Sequence, residues 1–129
     1  MKPHQLIGLP YRLGADPIKH HAVDCLSLAR TVLKHYGINS PEPTRDWYRR
    51  FRKKDYKIFK EKLERWGNET KQFNIGTVAL CKSKYGFGLA VYYEEGWINC
   101  GESEVRWSPL DGLEVVGCYS PQKSNYVKQ

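Results

Sequence analysis

In the stretch "HHAVDCLSLARTVL", residues 20 to 33, a cysteine stands directly after an aspartate and at the head of an amphipathic run. A thiol in the first turn of a helix is well placed to be a nucleophile. The unpaired N–H groups and the positive end of the helix dipole favour its thiolate there. Cys25 would still need a base, which for a cysteine nucleophile is usually a histidine brought from elsewhere in the fold. The histidines are His4, His20, His21 and His35, and none follows residue 35. His20 and His21 come shortly before Cys25, so they would serve only if the loop leading into the helix doubled back toward the thiol. Otherwise "DPIKHH" reads as a polar surface loop.

The elements that must position Cys25 follow from periodicity. Asp24 to about Tyr36 reads as a helix, because Leu26, Leu28, Ala29, Val32, Leu33 and Tyr36 return to one side at helical spacing. Asp24 suits the N-cap and Gly37 the stop. Residues 45 to 66 predict one broken or two short helices, anchored by Trp47, Tyr48 and Phe51 and then by Ile58, Phe59, Leu63 and Trp66, with Gly67 ending the second. Beyond this the period becomes two. "GTVALC" (76 to 81), "GLAVYYEE" (88 to 95), "WINCG" (97 to 101), "EVRW" (104 to 107) and "LEVVGCYS" (113 to 120) predict strands. Glu94, Glu95 and Gly96 would make a tight hairpin turn. Helices first and an antiparallel sheet afterwards define an α+β order. The tail "PQKSNYVKQ", from about residue 120, is expected to fray.

At 129 residues the chain is sized for a single domain, 1–129. No apolar run is long enough to cross a membrane, and "MKPHQLIGLPYRLG" lacks the features of a secretory signal. The expected location is therefore cytoplasmic unless something carries the protein elsewhere. Cys25, Cys81, Cys100 and Cys118 show no zinc-knuckle or redox spacing, so no metal or cofactor is expected. Cys81, Cys100 and Cys118 read as small buried hydrophobes. The net charge of +7 is concentrated, since Thr44 to Trp66 carries ten Lys or Arg against four acids.

"GLPYRLGADP", "DCLSLARTVLKHYGI", "GTVALC", the hairpin strand, "WINCG" and "EVRWSPL" together resemble the NlpC-type cysteine peptidases. These are papain-like cell-wall endopeptidases that include compact members of phage tails. The resemblance runs over about residues 6 to 119 and rests best on Pro10-Tyr11-Arg12 paired with Asp24-Cys25 and a helix ending in "YGI". It implies a papain-like fold in which a basic helical insertion, at about 44–67, interrupts the family pattern. It implies Cys25 as nucleophile, Tyr11 as the residue that helps polarise the substrate carbonyl, and Asn99 as the group that orients a histidine ring. The small Ser-Gly pair usual after the cysteine is replaced here by Leu26-Ser27. The family's histidine falls on Gly88, and sliding by one residue meets only Phe87 or Leu89. Without that imidazole the thiol, ordinarily near pH 8.5 and raised by Asp24, stays protonated, and nothing donates to a leaving amine.

The expectation is a degenerate NlpC-type domain serving as a structural component of a phage tail, at the tail tip or baseplate, and so located in the virion. The alternatives are an active peptidoglycan-degrading cysteine endopeptidase with an unusual base, and a basic nucleic-acid-binding module. The basic segment reads first as a solvated helix face and next as a surface for an acidic partner protein, with nucleic acid less favoured. Arg49, Arg50, Arg52, Lys53 and Lys54 are expected to lie exposed and to meet that partner, other tail proteins of the particle.

Overall fold

The computed structural model describes residues 1–84, 86–101 and 103–127, and its elements follow the α+β order. After a short 3-10 turn at Pro3–Leu6 come α1 (Pro17–His20), α2 (Cys25–His35), α3 (Arg45–Arg52) and α4 (Lys57–Trp66). Then follow β1 (Gly67–Glu69), β2 (Val78–Ser83), β3 (Gly86–Tyr93), β4 (Gly96–Cys100), β5 (Val105–Pro109) and β6 (Glu114–Pro121). All strand pairs are antiparallel, in the order β1-β6-β2-β3-β4-β5.

α2 starts and stops where its sequence says it should. Asp24 caps it through a reciprocal pair of hydrogen bonds with Ser27, and Gly37 takes φ +73°, a left-handed exit that suits glycine. Its apolar positions Leu26, Leu28, Ala29, Val32 and Leu33 are buried and lie on β3 and β4. Side chains alternate across the strands, so the sheet has two apolar faces. Val78, Leu80, Leu89, Val91 and Ile98 join the main core with α2 and α4. Ala79, Ala90, Trp97 and Cys118 make a second, smaller cluster, against which the Phe73 ring leans edge-on to Trp97 at 5.3 Å.

The β3–β4 hairpin turns through Glu94 and Glu95, both with positive φ, and Tyr93 pairs with Gly96. That geometry is a two-residue turn matched to strand twist. Gly96 is required for a different reason: a Cβ there would collide with the Trp107 ring.

Two expectations need correction. Gly67 does end α4, but it also opens β1, a strand that pairs with β6 through Gly67 and Pro121. Three residues are too few to show a period of two, which is why the sequence concealed it. The tail does not fray between residues 120 and 127. Residues to Pro121 extend β6, the Asn125 amide donates to Trp66 O, and Asn125 O accepts the Asn39 N–H at 2.7 Å. Val127 N–H reaches Gly37 O at 2.8 Å. Helix ends leave carbonyls without partners, and the tail supplies donors just past the ends of α2 and α4. Asn125→Ala should therefore lower stability by about 1 kcal/mol, the usual worth of such a bond, read as a shifted urea midpoint. An unchanged midpoint would mean that the tail contributes nothing.

Candidate active site

The site is built around the residue before the cysteine. Asp24 is 1% exposed. One carboxylate oxygen accepts the Ser27 N–H at 2.8 Å, while Ser27 Oγ accepts the Asp24 N–H at 3.0 Å. The other oxygen accepts the Gly14 N–H at 2.8 Å and the Tyr48 hydroxyl at 3.0 Å. Ser27 thus completes the cap. The sequence marks Tyr48 only as an anchor of its own helix, and nothing in it ties Tyr48 or Gly14 to Asp24. Their link to Asp24 joins positions 24 and 10 residues apart across separate elements, and no local pattern encodes it.

Tyr11 reaches the same place through backbone pairing. Val23 N–H donates to Pro10 O at 3.0 Å and Arg12 N–H to Val23 O at 2.9 Å. On its other side, Tyr11 N–H donates to Ser103 O at 2.9 Å. The Pro-Tyr segment is therefore a strap between the approach to α2 and the approach to β5. Burial, followed by the nearby Cys25 and Asp24 charges, holds the Tyr11 hydroxyl above the ordinary phenol range.

Cys25 begins α2 and is 6% exposed. Burial pushes its thiol up to about 12, Asp24 adds to the rise, and the Leu89 N–H opposes it only in part. The helix start alone does not make this sulfur a thiolate.

Tyr11, Cys25, Cys81, Gly88, Asn99 and Cys100 share one cleft of about 490 Å³. The sheet opens here because the β3–β4 ladder stops at the Ala90–Asn99 pair, before Gly88. Gly88 pairs with Cys81 on β2 and lies two residues from Ala90, so all three share a face. A Cβ built on Gly88 meets no heavy atom within 4 Å. The position is sterically open to a side chain and carries none.

The remaining sequence candidates divide. Asn99 is 8% exposed, and its amide nitrogen donates to Ser108 Oγ at 3.1 Å and Arg106 O at 3.3 Å. That nitrogen serves the β4–β5 edge. His20 accepts the Asp16 N–H on Nδ1 at 2.9 Å, and His21 caps α1 in an exposed left-handed conformation. Neither lines the cleft, so the loop does not double back. Among the described residues lining it there is no imidazole and no carboxylate.

Two cysteine expectations also change. Cys118 is buried, but Cys81 and Cys100 are only half-buried and face the cleft with Cys25. Cys81 follows a register slip in the β2–β6 ladder, and Cys100 is the last residue of β4, so neither is covered on all sides. Burial still pushes the Cys81 thiol up to about 12. No group of three or more metal-ligating side chains occurs among the described residues.

In the basic segment, Arg49, Arg52, Lys53 and Lys54 are exposed as expected, although Arg49 pairs with Asp46. Arg50 is the exception. Its Nε meets Asp55 at 2.7 Å, and its two terminal nitrogens meet both Glu61 oxygens at 2.8 and 3.1 Å. It staples α3 to α4 and is not available to a partner. Phe51 packs edge-on to Phe59 and Tyr56, and Tyr56 packs on Phe87 of β3, so this segment also walls the cleft.

No protein-family model matches the chain, and no curated protein does.

Two measurements follow. Alkylation of the folded chain with iodoacetamide, mapped by peptide mass, should show Cys25 unreactive at neutral pH and titrating above pH 10; a midpoint below 8 would overturn the inert thiol. Arg50→Glu should lower the melting temperature while Lys53→Glu leaves it unchanged. Asp55 and Glu61 are held below their ordinary values, first by hydrogen bonds from Arg50. The staple's contribution is thus present above the unfolded carboxylate range and is lost as pH falls through the depressed values. The gap between wild type and Arg50→Glu should close in acid.

Proposed function

We propose that the protein is an NlpC-type domain without hydrolytic chemistry, serving as a structural component of a phage tail at its tip or baseplate. The observation that carries the loss of chemistry is the pairing of a buried, protonated Cys25 with an open, base-free position at Gly88. Nucleophilic catalysis by a thiol needs a partner that takes its proton and returns one to the leaving amine. General acid–base assistance is worth a factor of ~100 to 10,000, and the described cleft wall carries no imidazole or carboxylate to supply it. What survives is architecture: the Asp24 cap, the Tyr11 strap and the opened hairpin. These features support kinship with the family. The tail assignment follows from that resemblance, since the family includes compact members found in phage tails. An exposed cationic face at Arg49, Arg52, Lys53 and Lys54 supports docking against an acidic protein of the particle.

Purified peptidoglycan incubated with the protein should release no peptide above a Cys25→Ala control. Turnover abolished by Cys25→Ala would overturn the proposal in favour of a working endopeptidase. Gly88→His tests the same reading from the opposite side. A Cβ at that position meets no neighbour within 4 Å, and Cys25-dependent release by this variant alone would identify the lost base as the missing component. Mass spectrometry of purified particles should find the chain as a stoichiometric component, and its absence there would remove the tail assignment.

A further inference from the structure

Helix α3 carries its cations in an order that its own stability does not ask for. Arg45, Arg49 and Arg52 stand at i, i+4 and i+7, so they follow one side of the helix for two turns, and Lys53 comes next at the C-cap. The pairs Arg45–Arg49 and Arg49–Lys53 set like charges four residues apart, which works against a helix. Arg52 and Lys53 suit the negative end of the helix dipole, but Arg45 is the first helical residue and stands at the positive end. Asp46 answers this row only through an exposed ion pair with Arg49, of a kind that contributes little. Asp55 and Glu61 are engaged with Arg50 instead. Arg45 and Arg52 are exposed and have no ion-pair partner among the described residues.

The row borders a hollow. Gly14, Arg45, Tyr48, Arg49, Arg52 and Lys53 line a concavity of about 610 Å³, a size common for small-molecule sites. Gly14 takes φ +80° and a Cβ built there meets nothing within 4 Å, so this side of the hollow is open. Gly14 and Tyr48 are anchored from the interior, since the Gly14 N–H and the Tyr48 hydroxyl both donate to Asp24. Asp24 is itself an anion, but it is 1% exposed and its oxygens are turned to those donors and to Ser27. One enclosed negative charge therefore stands against four cations.

The donors set what fits. Every charged group lining the hollow is a cation that offers only N–H groups, so the occupant is anionic and accepts hydrogen bonds. Guanidinium forks match the paired oxygens of a carboxylate or a phosphate. A lone carboxylate fills one fork and leaves the others unanswered. Along the helix axis Arg49 lies about 6 Å beyond Arg45, and Arg52 about 4.5 Å further, so one short ligand with several anionic groups in line can meet all three. Linked phosphates present such groups next to one another. Carboxylates on a peptide each stand at the end of a side chain that must first be ordered, at an entropic cost.

We propose that the hollow between the Gly14 loop and α3 binds a short chain of linked phosphate groups through Arg45, Arg49 and Arg52, with Lys53 at its end. The site is separate from the Cys25 cleft and does not rest on the tail assignment. A bound chain and an acidic partner protein would compete for Arg49 and Arg52.

Calorimetric titration of the full chain with sodium tripolyphosphate in physiological salt should show saturable one-to-one binding. Citrate, which holds three carboxylates on one small body, and sulfate should both bind about tenfold more weakly or worse. Adenosine triphosphate separates the two sources of such a chain. Affinity at least equal to that of tripolyphosphate would assign the site to a nucleotide's phosphates, and weaker binding would assign it to free polyphosphate. Arg45→Gln should weaken tripolyphosphate about tenfold or more, as expected for loss of a charged hydrogen bond. Arg45→Lys, which keeps the charge and loses the fork, should recover only part of that. Lys71→Gln removes one charge from an exposed residue outside the hollow and should change the affinity by less than about twofold. Arg52→Gln gives a second reading should Arg45→Gln not fold. No saturable binding at millimolar tripolyphosphate would overturn the proposal. Equal affinity for citrate would do the same, because it would show a general anion patch. Equal weakening by Lys71→Gln and Arg45→Gln would also overturn it, by reducing the effect to net charge.

Discussion

The buried Asp24 carboxylate is the constraint on which the rest of this structure depends. A charged group 1% exposed is tolerable only when its lone pairs are filled, and Asp24 accepts from Ser27, Gly14 and Tyr48. Those three donors belong to the first turn of α2, the loop before α1, and α3. One side chain thereby fixes where the Cys25 helix begins, where the N-terminal strap lies and where the basic helical segment docks. The same charge works against chemistry at its neighbour, since it raises the Cys25 thiol that burial has already raised. In an active dyad an imidazolium would offset that effect. Here the scaffold function of Asp24 has no such counterweight.

Around this centre the molecule is held by contacts between elements distant in sequence. Arg50 joins α3 to α4 through two carboxylates, the aromatic run from Phe51 to Phe87 carries the basic segment onto β3, and the tail closes the ends of α2 and α4. The basic segment is consequently part of the core as well as a charged surface: Trp47, Ile58, Phe59, Leu63 and Trp66 are buried in it. Of its four acids, Asp55 and Glu61 hold Arg50, Asp46 pairs with the exposed Arg49 and Glu64 with Lys60, while Arg52, Lys53 and Lys54 remain exposed. A small, mainly apolar cavity lined by Leu26, Trp47, Phe59 and Leu63 also lies inside this packing.

Much of the architecture was legible from local pattern alone. The α2 boundaries, the break between α3 and α4, the five long strands and the Glu94-Glu95 turn all follow from periodicity, capping and turn chemistry, which act over a few residues. So does the absence of a histidine at the position opposite Cys81, because that is a matter of residue identity and needs no coordinates. What local pattern missed are features with partners far away in the chain. β1 exists because β6 offers it an edge, and the tail is ordered because two helix ends offer it carbonyls.

For the candidate site, the sequence by itself determined the chemical inventory: a thiol after a helix-capping acid, a tyrosine, an asparagine and no imidazole beyond residue 35. Only the tertiary structure decided what those groups amount to. It brought Tyr11, Cys25, Gly88 and Asn99 to one cleft, placed Cys81 and Cys100 beside them, and kept His20 and His21 out. It also turned the Asn99 amide toward Ser108 and bound Arg50 internally. The physical reason is that residue type sets which bonds a side chain can make. Burial and the company of groups dozens of residues away set which ones it does make.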